Sequence, residues 1–418
     1  MTIDFPAAVQ PGTPPISNGP QDGSHDERAT GRGRGSEPHI LYLAHDLNDA
    51  AIWRRHHMLM TAGARITVAG FRRRAGPLRG PAIVLGSTED GRLFRRVLTV
   101  GRAAPGLGKQ LEGMSKPDVI LARNLEMLAL AMRARRLWPG PPVRVVYEVL
   151  DIHRMMLGDS LRARLLRSLE RRLFRSVSLV LVSSPGFVRQ YFAPHGFPTE
   201  AMRLIENKVT GAVTQASPVS VGAGEILTIG WFGILRCDWT LRTLDALTRA
   251  APGRFRIVAR GIPALDKLPD FHAVMDANPD MTFGGSYVYP DDLATIYGQV
   301  QIIWMVDRYD PGQNSDWLLP NRLYEGGLQG RVPLALEGSE VASFLRRLGV
   351  GLVLPRPDEE AVRALLSGIS PEDVARLGVA MRQVPSSTWA ASEADFQDLL
   401  ADIVGDPERH SRQLEAAE

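Results

Sequence analysis

The stretch from Leu319 to Leu334, LPNRLYEGGLQGRVPL, concentrates more chemistry than any other part of the chain. Pro320 sets the start of a short helix, whose free N–H groups point outward and suit an anion. Asn321 and Arg322 stand in its first turn and Glu325 follows. A glycine turn ends the helix, and an apolar strand headed by Val332 and Pro333 comes next. A carboxylate beside an anion-accepting helix end suits a ligand that carries both hydroxyls and phosphate, such as a nucleotide sugar. A solvated helix carboxylate is the plain alternative for Glu325. The flanking Pro320, Gly326, Gly330 and Pro333 favour the ligand role.

Four further segments carry candidate groups. In GWFGILRCD, Gly233 closes a strand and allows a diphosphate to approach the backbone, while Arg236 offers a planar fork for phosphate. A plain strand-to-helix turn with a surface arginine would read the same way. Arg260, before Gly261, closes the following strand and is a candidate contact to a nucleotide base. In YEVLDIHR, Glu148, Asp151 and His153 lie at the carboxyl end of a strand. A carboxylate there can take a proton from an acceptor hydroxyl, and an Asp–His pair can orient one. Helix-capping residues would show the same spacing. Asp46 and Asp49, in HDLND after the first strand, face an acceptor or cap the next helix. Glu206, Asn207 and Lys208 close the last strand of the first half and point toward the cleft on one reading.

The elements that must position these groups alternate between strand and helix. Apolar runs at 39–44, 65–71, 118–122, 143–149 and 179–183 read as strands, with helices at 50–62, 125–137 and 161–176 and another from about Pro185. Residues 1–36 are rich in Pro, Gly and Ser and read as a disordered tail. The small polar run 211–224 reads as a linker, after which the pattern restarts with strands at 227–233, 255–261, 281–283, 300–306 and 350–354. The expected organisation is a first domain over 37–212, a linker over 213–224, a second domain over 225–385, a helix over 386–405 and an acidic tail over 406–418. Such alternation predicts an α/β fold with two Rossmann-like domains facing a cleft, and ligands at the carboxyl ends of the strands.

At 418 residues, with 44% hydrophobic side chains, the chain is long enough for two cores. Its net charge of +3 conceals an asymmetry. Residues 37–212 hold 28 basic and 14 acidic side chains, whereas residues 213–418 hold 18 and 28. A basic half joined to an acidic one implies an anionic surface or substrate for the first domain. Arg162, Arg164, Arg167, Arg171, Arg172 and Arg175 interleave with leucines, which reads as a solvated face around a packed stripe or as contact with anionic lipid. No aromatic interleaving accompanies them, which argues against nucleic acid. The single cysteine, Cys237, excludes an internal disulfide and suits a reducing compartment. The N-terminus lacks the basic start and apolar core of a signal peptide, and no run is long enough to span a bilayer. The G-x-G-x-x-G expected of a dinucleotide-binding dehydrogenase is missing after the first strand. No D-x-D and no Cys/His cluster occurs, so a metal-independent reaction is expected, with Arg236 and helix dipoles in the cation's place.

WFGILRC, YEVLDIH and LPNRLYEGG, in this order, resemble bacterial glycosyltransferases of the GT-B superfamily close to family 4, and within it the exopolysaccharide (succinoglycan-type) transferases. The resemblance implies transfer from a nucleoside-diphosphate sugar, with uridine expected, to a lipid-linked or polysaccharide acceptor. It implies a cytoplasmic protein, peripheral at the inner face of the cell membrane. It also implies ribose binding by Glu325, diphosphate binding by Arg236 and an acceptor-side position for Asp46. Many retaining members carry another Glu eight residues before the first, where this chain has Trp317. Asn314, Ser315 and Asp316 are the candidates to replace it, with a polar loop as the alternative. A sugar-nucleotide epimerase and a non-catalytic binding protein are the rival readings.

Overall fold

The computed structural model describes residues 37–73, 75–87, 104–211, 213–218 and 226–405. The terminal tails, and the part of the expected linker from 219 to 224, lie outside them.

In the first half, β1 (His39–Ala44), β2 (Arg65–Arg72), β3 (Ile83–Ser87), β4 (Val119–Arg123), β5 (Arg144–Val149), β6 (Leu179–Val182) and β7 (Met202–Leu204) form one parallel sheet. Their order is β3-β2-β1-β4-β5-β6-β7. β1 is buried along its whole length. Its sequence, HILYLA, is an almost unbroken apolar run, as a strand covered on both faces requires. In the second half, β8 (Leu227–Leu235), β9 (Phe255–Pro263), β10 (Met281–Phe283), β11 (Ile302–Trp304), β12 (Val332–Leu336) and β13 (Leu352–Leu354) form a second parallel sheet, ordered β10-β9-β8-β11-β12-β13. The strand order reverses between β1 and β4 in one sheet and between β8 and β11 in the other. In sheets of this kind the crevice at the reversal is where ligands bind.

Eleven helices of six residues or more connect the described strands: α1 (Ala50–Thr61), α2 (Leu125–Ala134), α3 (Leu161–Phe174), α4 (Asp238–Ala250), α5 (Phe271–Asp276), α6 (Leu293–Gly298), α7 (Asn321–Leu328), α8 (Glu340–Leu348), α9 (Glu359–Ser367), α10 (Pro371–Gln383) and α11 (Glu393–Val404). Side chains cap many of them. Asp49 accepts from the Ala51 N–H at 2.9 Å, and Ser370 and Ser392 each form a reciprocal capping box with an Asp three residues on.

Two local readings need correction. Gly233 does not end β8, because the strand continues to Leu235 and β9 pairs with it as far as Pro263. Gly233 instead adopts φ +104° inside the pairing, and a Cβ on its partner Gly261 (φ +134°) would lie 1.8 Å from the Gly233 carbonyl oxygen. Likewise, Gly326 and Gly327 do not terminate α7. They lie inside it, where a Cβ would meet Ile303 Cδ1 at 1.8 Å and the Trp389 ring at 2.3 Å, respectively. The turn belongs to Gly330, at φ +67°. Part of the expected linker is not free either. Ala216 donates its N–H to Gln329, Arg382 donates to the Ala216 carbonyl at 3.0 Å, and Arg331 donates to the Ser217 carbonyl.

Apolar residues pack on both faces of each sheet. One first-sheet cluster joins Ile40, Tyr42, Ile52 and Leu59 to Phe396, Leu399, Leu400 and Ile403. The helix at the end of the described chain, α11, thus completes the core of the first lobe. The chain leaves that lobe at Val209 and returns beside it at Ala390, the two strands touching as a parallel bridge.

Because the α7 glycines are seats for Ile303 and Trp389, Gly327→Val overpacks a closed interface. Urea unfolding is expected to show a loss of about 1–3 kcal/mol with an unchanged m-value. Gly261→Ala should cost a similar amount, since its side chain would meet backbone rather than a movable neighbour.

Candidate active site

A cavity of about 440 Å³ opens at the β1/β4 reversal. Three loops of the first sheet line it: His45, Asp46 and Asp49 after β1; Asn124, Leu125 and Glu126 after β4; and Asp151, Ile152, His153 and Met156 after β5. Ile234 and Arg236 line it from the end of β8 in the second lobe. Asp46, Asp151, His153 and Arg236 therefore share one site.

Each is held by identifiable partners. Asp46 accepts from the Asn48 N–H at 3.0 Å and pairs with Arg73 at 3.5 Å. Asp151 is exposed at the lip. His153 accepts from the Met155 N–H through Nδ1 at 3.2 Å, which places the proton of the neutral ring on Nε2. Arg236 pairs with Asp307 at 3.3 Å and stacks over Tyr309 at 4.6 Å.

Glu148 does not line this cavity. It is 1% exposed and both its oxygens are engaged, Oε1 by Arg55 Nε at 2.7 Å and Oε2 by the Tyr42 hydroxyl at 2.6 Å. Arg123 Nη1 donates to the same tyrosine at 3.3 Å and Nη2 lies 3.5 Å from Asp49. Burial alone would raise the Glu148 pKa, but Arg55 and Arg123 overcome it and hold the carboxyl below its ordinary range. This buried network ties β1, β4, β5 and α1 together directly behind the cavity.

On the second lobe, Glu325 is buried. It accepts from the Tyr297 hydroxyl at 2.9 Å and, more weakly, from that of Tyr287 at 3.4 Å. Burial pushes its pKa up, while Arg54, the two tyrosines and Arg322 oppose the shift. Arg54 belongs to α1 of the first lobe and stacks over Tyr289 at 4.4 Å, so a cross-lobe cation balances this carboxylate. Glu325 does not line the cavity itself. Arg322, one turn earlier, donates to the Met305 carbonyl at 3.4 Å, and its Nη1 lies 3.9 Å from where a Gly233 Cβ would be. Gly233, Arg322 and Glu325 thus lie along the carboxyl edge of the second sheet, beside Arg236. Asn321 opens α7 at the same edge. Arg260 folds over Gly284 and donates to the Ser286 carbonyl at 3.2 Å, bracing the loop after β10.

The residues near Trp317 do other work. Asn314 donates to the Ile152 carbonyl at 2.5 Å and accepts from its N–H at 3.2 Å, clamping the lobes. Ser315 accepts from the Asp310 N–H at 2.9 Å. Asp316 accepts from the Gly312 N–H at 2.5 Å and lines a separate cavity with Arg189 and Glu340. The structure does not bring Ser315 or Asp316 into the Arg236 cavity.

Several lining groups escaped the sequence reading. Asn124, with φ +70°, turns the chain sharply after β4 and presents Glu126. The Asn-Leu-Glu that follows ILAR is the signal, since it closes a strand as HDLND does. Glu170 is the second. Its oxygens accept from Tyr147 at 2.8 Å and Tyr191 at 2.6 Å, and burial pushes its pKa up to about 7. Nothing in the α3 sequence marks it as inward-facing.

Comparison with known proteins agrees with this geometry. Residues 26–208 match the family described as a glycosyl transferase 4-like domain. The chain is 43% identical over 374 residues to the succinoglycan biosynthesis protein ExoL of Rhizobium meliloti (strain 1021), covering 87% of this chain and 93% of that one. The Anabaena protein Alr3699/HepE, solved in complex with UDP and glucose, superposes with a TM-score of 0.64 at 15% identity, covering 88% of this chain and 99% of that one. Sucrose-phosphate synthase from Thermosynechococcus elongatus superposes at 0.59 and 15% identity, covering 91% and 100%. At these identities the two structures speak to the fold, which is the GT-B arrangement of two Rossmann-like lobes.

Removing Glu148 strands two buried arginines. Glu148→Ala is expected to cost about 3–5 kcal/mol in urea unfolding. The Glu170 effect runs with pH. Between its unfolded value of 4.5 and about 7, the folded chain retains a proton that the unfolded chain has lost. Its contribution to stability is therefore full below 4.5 and falls as pH rises toward 7. Glu170→Gln keeps a polar partner for each tyrosine without a charge. Its melting temperature relative to wild type should be higher at pH 8 than at pH 5, and parallel pH profiles would refute the assignment.

Proposed function

We propose a substrate and a division of labour for this chain on the premise that it belongs to the glycosyltransferase family of the ExoL protein, and is a glycosyltransferase. It moves a sugar from a nucleoside-diphosphate sugar to a hydroxyl of a lipid-linked or polysaccharide intermediate in exopolysaccharide assembly. The pathway is that of its relative, and the uridine nucleotide is the one bound to HepE. The carrying observation is the buried Glu325, held by two tyrosine hydroxyls on the strand edge that also presents Gly233, Arg236 and Arg322.

In this reading Glu325 accepts hydrogen bonds from the ribose hydroxyls. Asn321 and Arg322 at the start of α7, together with Arg236, receive the diphosphate, and Gly233 leaves room for it. Arg260 borders the base. The leaving diphosphate gains negative charge as the glycosidic C–O bond breaks, and Arg236 is the positive group nearest the acceptor cavity. No metal is required in this scheme, because guanidinium groups and the α7 dipole supply the positive charge. The acceptor hydroxyl enters the cavity of the first lobe, where Asp46 and His153 orient it and Asp151 takes its proton. Ser315 and Asp316 take no part. The reaction is placed on the cytoplasmic side, at the inner face of the cell membrane. Among the described residues no helix is long and apolar enough to cross a membrane.

Thermal-shift titration with UDP-, GDP- and ADP-sugars tests the donor class, since a bound ligand raises the melting temperature by mass action. Glu325→Ala should weaken the preferred donor roughly 10–100-fold, as loss of a charged hydrogen-bonding partner does. Arg236→Ala should lower kcat by about 10²–10³ with little change in melting temperature. Wild-type donor binding by Glu325→Ala would overturn the assignment of that residue.

A further inference from the structure

α3 packs Leu166, Leu173 and Phe174 against the core but leaves a second line of leucines in solvent. Its inward side carries Arg167 and Glu170 with Ala163 and Phe174, all buried. Its outward side carries Leu161, Leu165 and Leu169, exposed at 73%, 63% and 39%. These three are spaced four residues apart, so they form one continuous stripe along the helix. Soluble helices place the two classes the other way round. The sequence left a packed stripe and a lipid-facing one both open; the structure packs Leu166 and Leu173 against the core and turns Leu161, Leu165 and Leu169 to solvent.

Arg162, Arg164, Arg171 and Arg172 flank the stripe, and Arg175 follows the helix end, all exposed. The one acid of the helix, Glu170, is buried and bonded to tyrosines. Among the described residues no carboxylate forms an ion pair with any of these five arginines. Arg171 alone among them has a backbone partner, the His195 carbonyl at 2.9 Å. An apolar stripe within an unneutralised cationic border fits the boundary between acyl chains and anionic headgroups.

The position of the helix connects this surface to the reaction. Glu170 on the inner side of α3 lines the acceptor cavity, and so does Met156 just before the helix. Arg167 fixes that approach by donating to the Met156 carbonyl at 2.6 Å and the Gly158 carbonyl at 2.7 Å. The cavity and the leucine stripe are thus separated by the width of one helix, about 10–12 Å.

We infer that the outer face of α3 docks this enzyme on an anionic lipid bilayer, presenting the acceptor cavity to the headgroup of a lipid-linked sugar. The purpose of the docking rests on the transfer reaction proposed above; the docking itself does not.

The test is cosedimentation of the full chain with vesicles of phosphatidylcholine and phosphatidylglycerol, with phosphatidylcholine alone as comparison. Wild type should bind the anionic vesicles, and high salt should weaken binding. L161S/L165S/L169S should reduce partitioning by about tenfold or more. R162Q/R164Q/R172Q should abolish the preference for anionic lipid. Both variants should retain the wild-type melting temperature and the wild-type thermal shift with donor. Absence of wild-type binding overturns the proposal, as does equal binding by the leucine variant. A leucine variant that splits a dimer in sedimentation while still binding vesicles also overturns it, and assigns the stripe to a second copy of the chain. Vesicle binding without any donor shift would count against the donor assignment alone.

Discussion

The site depends on a buried cluster of charge behind it. Glu148 in β5 meets Arg55 in α1, Tyr42 in β1 bridges to Arg123 in β4, and Arg123 reaches the cap of α1 at Asp49. Isolated charges at this depth would be expensive, and this set persists only because each member satisfies another. The three strands it joins are those whose following loops wall the cavity at the β1/β4 reversal. These loops need little internal stiffness, because the network behind them sets the spacing at which they begin.

The contacts between the lobes are of a different kind. Asn314 on Ile152, Arg154 on Asp310, Arg189 on Glu340 and Tyr324 on Glu206 are polar; Arg154 and Arg189 are exposed, whereas Asn314 and Tyr324 are buried. Polar interfaces within a chain permit relative motion more readily than apolar ones. Arg54, half-buried, also crosses between the lobes and reaches the vicinity of Glu325. A donor entering there meets a cation from the opposite lobe, which gives substrate binding a direct means of setting how closely the lobes approach.

Much of this was legible in the sequence. Continuous apolar strands such as HILYLA and LTIGWF announced two parallel sheets, and their restart after a small polar segment announced two lobes. The groups at strand ends, Asp46, Asp151, His153 and Arg236, could be placed because a parallel sheet sends its loops to one edge. What stayed hidden depends on which face a residue takes. Glu148 sits one residue before the end of β5, as read, but its side chain turns to the core rather than to the cavity. Glu170 and the leucines of α3 have the helical spacing of an ordinary amphipathic helix, and only packing shows that Arg167 and Glu170 face in while Leu161, Leu165 and Leu169 face out. Asn314 and Asp316 have the composition of a binding loop, but their hydrogen bonds go to the backbone of Ile152 and Gly312.

The return of the chain at Ala390 bears on how the molecule is made. The apolar face of the first sheet that α1 covers in part, through Ile52, Trp53, Met58 and Leu59, is completed by Phe396, Leu399 and Ile403. During synthesis this face must wait, after its own strands have emerged, while the entire second lobe is translated. The first lobe is thus the earliest to appear and the last to be completed. A ribosome that stalls anywhere in the second half leaves the part of that apolar face beyond α1 open to chaperones or to aggregation.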